Sequence, residues 1–172
     1  MDTAVYYDSI GDDTFIAKPE HAYMQSPGGL YRFSQGFDMT TAYSNMGGFD
    51  RGQIYDSIGN DLLVSRFNQT YLVTGGVIVN QLRNFEETKS FSVRGGVDAA
   101  QFYDTTGSDR FIAKPTYSYL FNRSGSFNYL NYQSGFDRVL AVSNKGGTDL
   151  LDQYTGLDYF FEKIGDWVVR GF

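Results

Sequence analysis

Short runs in which apolar and polar residues alternate recur along the whole chain, each closed by glycine, asparagine, aspartate or serine. Examples are TAVYYD from Thr3, TFIAK from Thr14, HAYM from His21, MTTAYS from Met39, QIYD from Gln53, VIVN from Val77, AAQFYD from Ala99 and SFNYLNY from Ser126. Period-two alternation in β-branched and aromatic residues predicts strands, and their length predicts many short ones. Within these runs Ala4 and Tyr6, Gly52 and Ile54, and Ala100 and Phe102 share one parity, a small residue beside a large one, which reads as interior. The other parity carries Tyr7, Tyr55 and Tyr103, preceded by Val5, Gln53 and Gln101, and reads as the more exposed face. Only the last stretch changes period. Leu157, Phe160, Phe161, Ile164, Trp167 and Val168 follow the 3,4 spacing of one helical face and predict a helix that covers an open end.

The strands belong to a longer repeat. YDSIGDDTFIAKP begins at Tyr7, returns as YDSIGNDLLVSRF at Tyr55 and again as YDTTGSDRFIAKP at Tyr103, two steps of 48 residues. A finer period lies inside it. Asp13, Asp38, Asp61, Glu86, Asp109, Asp137 and Asp158 follow one another at 25, 23, 25, 23, 28 and 21 residues. Between them sit turns that alternate between Asp2, Asp50, Asp98 and Asp149 and the glycines at Gly28, Gly75 and Gly125. Periods of this size mark stacked-repeat architectures. The expectation is an all-β, right-handed parallel β-solenoid (β-helix) of about seven coils, each of about 24 residues, with the 48-residue unit spanning two unlike coils. Residues 1–149 form the repeats and residues 150–172 a C-terminal capping helix of the same domain. Coil stacking would align Tyr7, Tyr55 and Tyr103 in a column, with Tyr31 or Phe33 and Phe127 or Tyr129 filling the intervening positions.

Charge and composition narrow the functions. A net charge of −6 opposes nucleic-acid binding, which draws on clustered lysine and arginine, and the 14 basic residues are scattered. No cysteine is present, which removes disulfides and thiolate chemistry. There is no apolar run long enough for a membrane span and no basic-then-apolar leader at Met1. Against 3 prolines stand 20 glycines, 14 tyrosines and 15 phenylalanines, so glycine turns and aromatic surfaces are what the repeat multiplies.

Three kinds of chemistry suit these residues. Acids stacked about 4.8 Å apart repel unless compensated. Calcium shared between coils would serve, with Asp13, Asp61 and Asp109 as ligands and Asp8, Asp56 and Asp104 as second carboxylates. Backbone N–H groups of the same turns would serve equally, as Asx-type caps. Catalysis of the polysaccharide lyase or epimerase kind needs a base beside a cation, for which Lys18, Lys114, Arg66 and the single His21 are available. Because Lys18 and Lys114 are copies of one repeat position, scaffold is the simpler reading. Exposed Tyr7, Tyr55, Tyr103, Tyr31 and Tyr129 suit stacking on sugar rings.

The repeat resembles that of large secreted proteins of planctomycetes and related bacteria, whose unit is similar to YDSxGDDxFxAxP…YxYL…FxNYxSGFDxVxAxxxxGGxDxAxLYDS. Tyr7 to Pro19, Gly36 to Asp50 with Tyr55 to Asp61 and, most fully, Asp98 to Asp149 carry the likeness, which weakens between Phe67 and Gly95. A looser similarity to calcium-binding β-roll repeats rests on GNDLL at 59–63 and GGFD at 47–50. The first resemblance implies an extracellular or cell-surface segment beside other domains, with its export signal outside this stretch, and implies no catalytic residues. The second implies that Asp13, Asp61 and Asp109 face a metal. The combined expectation is a non-enzymatic extracellular structural or adhesive repeat module, calcium-stabilised if the acids bind the ion, with polysaccharide binding and a β-helix lyase or epimerase as alternatives. Its partners would be a polysaccharide, neighbouring repeats of a parent protein, or a second copy through the N-terminal coil near Met1.

Overall fold

In the computed structural model, which describes residues 1–125 and 127–172, each 48-residue unit supplies five strands. The first unit gives β1 (Thr3–Tyr7), β2 (Thr14–Ala17), β3 (His21–Gln25), β4 (Tyr31–Gln35) and β5 (Met39–Tyr43). The second gives β6 (Arg51–Tyr55), β7 (Asp61–Arg66), β8 (Gln69–Thr74), β9 (Val77–Arg83) and β10 (Glu87–Phe91). The third gives β11 (Ala99–Tyr103), β12 (Arg110–Lys114), β13 (Tyr117–Ser124), β14 (Phe127–Ser134) and β15 (Arg138–Ser143). The chain ends in β16 (Leu150–Gln153), β17 (Phe160–Gly165) and β18 (Val168–Gly171). A single 3₁₀ turn at Pro27–Gly29 is the only helical element among the described residues.

These strands form two mixed sheets, and the expected parallel solenoid is not what they build. The eight-stranded sheet runs β1-β5-β9-β8-β7-β11-β15-β17 and the ten-stranded sheet β18-β16-β12-β13-β14-β10-β6-β2-β3-β4. In every unit the middle three strands stay in one sheet as an antiparallel meander: β2-β3-β4, β7-β8-β9 and β12-β13-β14. The first and last strands of each unit lie in the opposite sheet and pair in parallel with their neighbours. The 24-residue period therefore marks a return of turn chemistry and does not mark a coil.

Each unit crosses between the sheets three times, an odd number, so successive units begin on opposite sheets. Tyr7 and Tyr103 close β1 and β11 in the eight-stranded sheet, whereas Tyr55 closes β6 in the ten-stranded sheet. The expected single column of tyrosines is thus split between two faces. Tyr31, on β4, lies in the ten-stranded sheet, and Tyr129, on β14, points inward and is 1% exposed. The side chain of Phe127 lies outside the described residues.

The core fills the space between the sheets. Phe15, Met24, Ile54, Leu63, Leu72, Leu82, Phe102, Phe111, Leu120 and Leu151 are buried there. Edge-to-face ring pairs join the two sheets, Tyr6 on Phe15 at 5.0 Å and Phe102 on Phe111 at 5.3 Å between centroids. The small-beside-large reading of the inward parity holds for Ala4 and Tyr6, Gly52 and Ile54, and Ala100 and Phe102. Where the second unit departs from its sisters the interior turns polar. Ser65, Thr70, Thr88 and Asn131 form a buried hydroxyl and amide chain with links of 3.0, 3.2 and 2.8 Å.

The expected C-terminal helix is replaced by β17 and β18. Gly165 has φ +95, a left-handed backbone that a helix interior does not use. Two open sheet edges also offer ladders of unpaired groups, which β17 fills on β15 and β18 on β16. The residues at 3,4 spacing are accordingly divided: Phe161 packs on the core and Trp167 lies within it, while Phe160, Ile164 and Val168 are exposed. The outermost strands are β1 and β4 at one end of the stack and β17 and β18 at the other.

Glycine recurs because stacked turns touch through bare backbone. Gly48, Gly96 and Gly147 adopt positive φ, and a Cβ on any of them would overlap the carbonyl group of Gly11, Gly59 or Gly107 in the adjoining turn. Gly96→Ala should therefore lose at least about 2 kcal/mol of stability, from left-handed strain plus the clash. Gly95→Ala, whose Cβ meets open space, should lose less. Chemical denaturation of the two variants would show the order.

Candidate functional site

Two groups of side chains stand out: carboxylates at the turns between sheets, and aromatic rings on the outer face of the ten-stranded sheet. Each unit places three aspartates in adjoining turns, Asp8 with Asp13 and Asp50, Asp56 with Asp61 and Asp98, and Asp104 with Asp109 and Asp149. All nine are buried. Their sequence positions are set by two turns of the same unit, one leaving its first strand and one leaving its last.

The carboxylates are engaged by backbone amides. Asp13, Asp61 and Asp109 cap their own turns by accepting the N–H groups of Ser9, Ser57 and Thr105 at 3.0, 2.9 and 2.7 Å, along with the hydroxyls of those residues. Asp8 accepts from the amides of Asn45 and Met46, Asp56 from Val93 and Arg94, and Asp104 from Asn144 and Lys145, at 2.6 to 2.9 Å. The acids then ladder onto one another. The amide of Asp13 donates to Asp50 at 2.6 Å, that of Asp50 to Glu86 at 2.9 Å, that of Asp61 to Asp98 at 2.7 Å, that of Asp98 to Asp137 at 2.8 Å and that of Asp109 to Asp149 at 2.7 Å. Ser44, Ser92 and Ser143 donate hydroxyls to Asp50, Asp98 and Asp149.

Side chains from the meanders complete two of the three groups. Tyr129, the inward tyrosine of β14, donates its hydroxyl to Asp109 at 2.7 Å, and Thr74 of β8 donates to Asp61. Burial and the nearby carboxylates drive the Tyr129 phenol far above its ordinary range. One oxygen per group is left over: Oδ1 of Asp8, of Asp56 and of Asp104 is buried without a hydrogen-bond partner. Among the described residues no grouping of three or more His, Cys, Asp or Glu side chains is arranged to hold a metal ion. The six positions read from the sequence as calcium ligands, Asp13, Asp61, Asp109, Asp8, Asp56 and Asp104, thus come together in pairs, with amide and hydroxyl donors occupying most of their oxygens.

Burial raises the carboxyl pKa of Asp50, Asp98, Asp104 and Asp149, each also facing other carboxylates. At Asp152 burial acts in the same direction but is outweighed by hydrogen bonds from Arg170 and Arg110, and its pKa is lowered.

The second site is aromatic. On the outer face of the ten-stranded sheet Tyr55 stacks on Phe91 at 5.0 Å, Phe91 meets Tyr132 at 6.2 Å, Tyr132 meets Tyr117 at 5.5 Å, and Tyr117 stacks on Tyr119 at 6.2 Å. β6, β10, β14 and β13, which carry these rings, are consecutive in the sheet. A groove of about 500 Å³ opens among Phe91, Tyr117, Tyr119, Leu130 and Tyr132, with the ion-paired Glu87 and Lys89 on its rim at 2.9 Å. Further along, Lys114 lies over Tyr154 at 3.4 Å and Tyr154 stacks on Phe172 at 5.0 Å.

Of the tyrosines expected to stack on sugars, only Tyr55 belongs to this belt. Tyr7 is 61% exposed but stacks on Tyr43 of the eight-stranded sheet, and Tyr103 lies under Arg66 on that same sheet. Tyr31 meets Tyr23 on β3 at the far end of the ten-stranded sheet. Sequence reading missed Phe91, Tyr117, Tyr119 and Tyr132. The signal for the last three was present as the alternating YSYLF and NYLNY runs, the two strands of a hairpin that brings their outward rings side by side. The candidate catalytic residues do not converge. Lys18, just past the end of β2, lies over Tyr55, Lys114 lies over Tyr154, and His21 lies between Tyr23 and Phe33, all on or beside the ten-stranded sheet, whereas Arg66 lies on the eight-stranded one.

No family model, curated protein or solved structure matches the chain.

Raised carboxyl pKa values make the folded state the better proton binder above about pH 4, so their contribution to stability is full below that value and is lost as pH rises through their folded pKa values. The lowered pKa of Asp152 works in the opposite sense and loses its contribution below about pH 4. The melting temperature should therefore be highest at about pH 4 and decline as pH rises through the folded carboxyl pKa values. Asp104→Asn, which keeps an amide acceptor and removes the titration, should flatten the decline, and an unchanged slope would show that Asp104 does not contribute to it.

Proposed function

We propose that the protein is a non-enzymatic, extracellular adhesive module that holds a carbohydrate chain on the outer face of its ten-stranded sheet. The groove between Phe91, Tyr132, Tyr117 and Tyr119 carries this reading. Sugar rings present flat C–H faces to aromatic side chains and hydroxyls to neighbouring polar groups, and here Gln53 and the Glu87–Lys89 pair lie on the same outer face. The rings are preset by contact with one another, which lowers the ordering cost of binding. The separation of Lys18, Lys114, His21 and Arg66 favours a binding role, because proton abstraction needs a base and a cation at one carbon.

In this reading the turn aspartates are scaffold. Their oxygens accept amide and hydroxyl hydrogens, and one free oxygen per group falls well short of the six to eight that calcium takes. Calcium in excess over a chelated sample should leave thermal unfolding unchanged, and a rise of more than about 5 °C would reassign the aspartates to a metal.

Tyr119→Ala and Tyr132→Ala should each weaken retention on the recognised polysaccharide by about tenfold or more in affinity electrophoresis, the equivalent of one lost ring contact. Their melting temperatures should stay close to the parent's, since both rings lie on the outer face. If the parent protein is not retarded by any member of a broad polysaccharide panel, the carbohydrate reading falls.

A further inference from the structure

Charge on this protein is sorted by location. The chain carries −6 overall, yet many of its acids are in the turns, where nine aspartates are buried. The outer face of the ten-stranded sheet has the opposite balance. Arg51, Lys89, Arg110 and Arg170 stand at outward positions of β6, β10, β12 and β18, and Lys18 and Lys114 lie over rings of the same face. Two carboxylates form ion pairs with three of these six cations. Glu87 pairs with Lys89, and Asp152 is shared by Arg110 and Arg170. Among the described residues Lys18, Arg51 and Lys114 make no ion pair.

The cations also follow the rings. From β6 through β10, β14, β13 and β12 to β16, six strands are consecutive in the sheet. At about 4.8 Å per strand they span about 24 Å. Lys18 marks one end of this track over Tyr55, Lys89 stands beside the groove, and Lys114 marks the other end over Tyr154. An ammonium held on a ring with no carboxylate partner keeps its full charge for a ligand while the ring restrains its position.

Resting on the carbohydrate reading above, we infer that the ligand is an anionic glycan, a chain of sugar rings bearing carboxylate or sulfate groups, lying across the strands from Tyr55 to Tyr154. The rings take the sugar faces, and Lys18 and Lys114, which make no ion pair among the described residues, take the charges. The net negative charge of the rest of the molecule then favours one orientation of approach, with this face toward the polymer.

The test uses the whole chain with a polyuronate, the same polymer after its carboxyl groups have been reduced to alcohols, a sulfated galactan and a single-stranded oligonucleotide. The polyuronate or the sulfated galactan should bind at least about tenfold more tightly than the carboxyl-reduced polymer, and raising salt from about 0.05 to about 0.5 M should weaken it by a similar factor. Lys18→Gln and Lys114→Gln should each weaken anionic-polymer binding several-fold while leaving the melting temperature and any residual neutral-polymer binding unchanged. Equal binding of the reduced polymer, with no salt dependence, would overturn the anionic assignment and leave the carbohydrate reading standing. Binding of none of the polysaccharides would remove both. Oligonucleotide binding as tight as that of either anionic glycan would overturn the inference in favour of a general polyanion surface.

Discussion

Everything in this fold hangs on how backbone amides are satisfied where the chain crosses from one sheet to the other. A strand finds its partners in the sheet, but a crossing turn has none of its own, and although its tip is exposed the residues that open and close it are buried against the core. Here carboxylates fill the gap. The amide of one acidic residue donates to the side chain of the next, from Asp13 to Asp50 to Glu86 at one set of turns and from Asp61 to Asp98 to Asp137 at another. A hydrogen bond to a charged acceptor contributes about 1.5–3 kcal/mol, more than one between neutral groups, and several together oppose the mutual repulsion of the stacked acids. Substituting the glycines that let the turns approach would separate donor from acceptor, so the acid and glycine positions form one constraint.

That constraint does not dictate which face a strand presents. The face follows from parity. Three crossings per 48 residues return each unit to the sheet opposite its predecessor, so copies of one residue alternate between the two sides of the molecule. Tyr55 and Tyr103 are equivalent in the repeat and inequivalent in space. Conversely, the groove joins Phe91 from the second unit to Tyr117, Tyr119 and Tyr132 from the third, residues that no repeat alignment would place together. A repeated scaffold thereby generates a surface that is not itself repeated.

The same geometry sorts charge. Acids are drawn to the turns because amides there need acceptors, and aromatic and basic residues take most of the outward positions on the central strands of the ten-stranded sheet, with Glu87 as an ion-paired exception. A protein with a net negative charge can in this way present a basic, ring-bearing face. Composition reports the total and is silent about the separation.

The strands were legible from period-two alternation, and so was the inward parity of Ala4 and Tyr6, Gly52 and Ile54, and Ala100 and Phe102, because burial of one side of a sheet writes itself into adjacent residues. The capping role of Asp13, Asp61 and Asp109 was also within reach, since the partner amide lies four residues away. What lay beyond the sequence were the non-local choices. Whether a strand after a turn continues in its own sheet as a meander or crosses to the other depends on pairing with strands tens of residues away. The apolar spacing near the C-terminus suggested a helix, and two unpaired sheet edges drew it into β17 and β18 instead. Local pattern determined that this chain makes strands and acid-glycine turns, because side-chain burial and turn hydrogen bonds act over a few residues. The tertiary structure alone decided which aromatic rings share a face, because that depends on how many times the backbone crosses between its sheets.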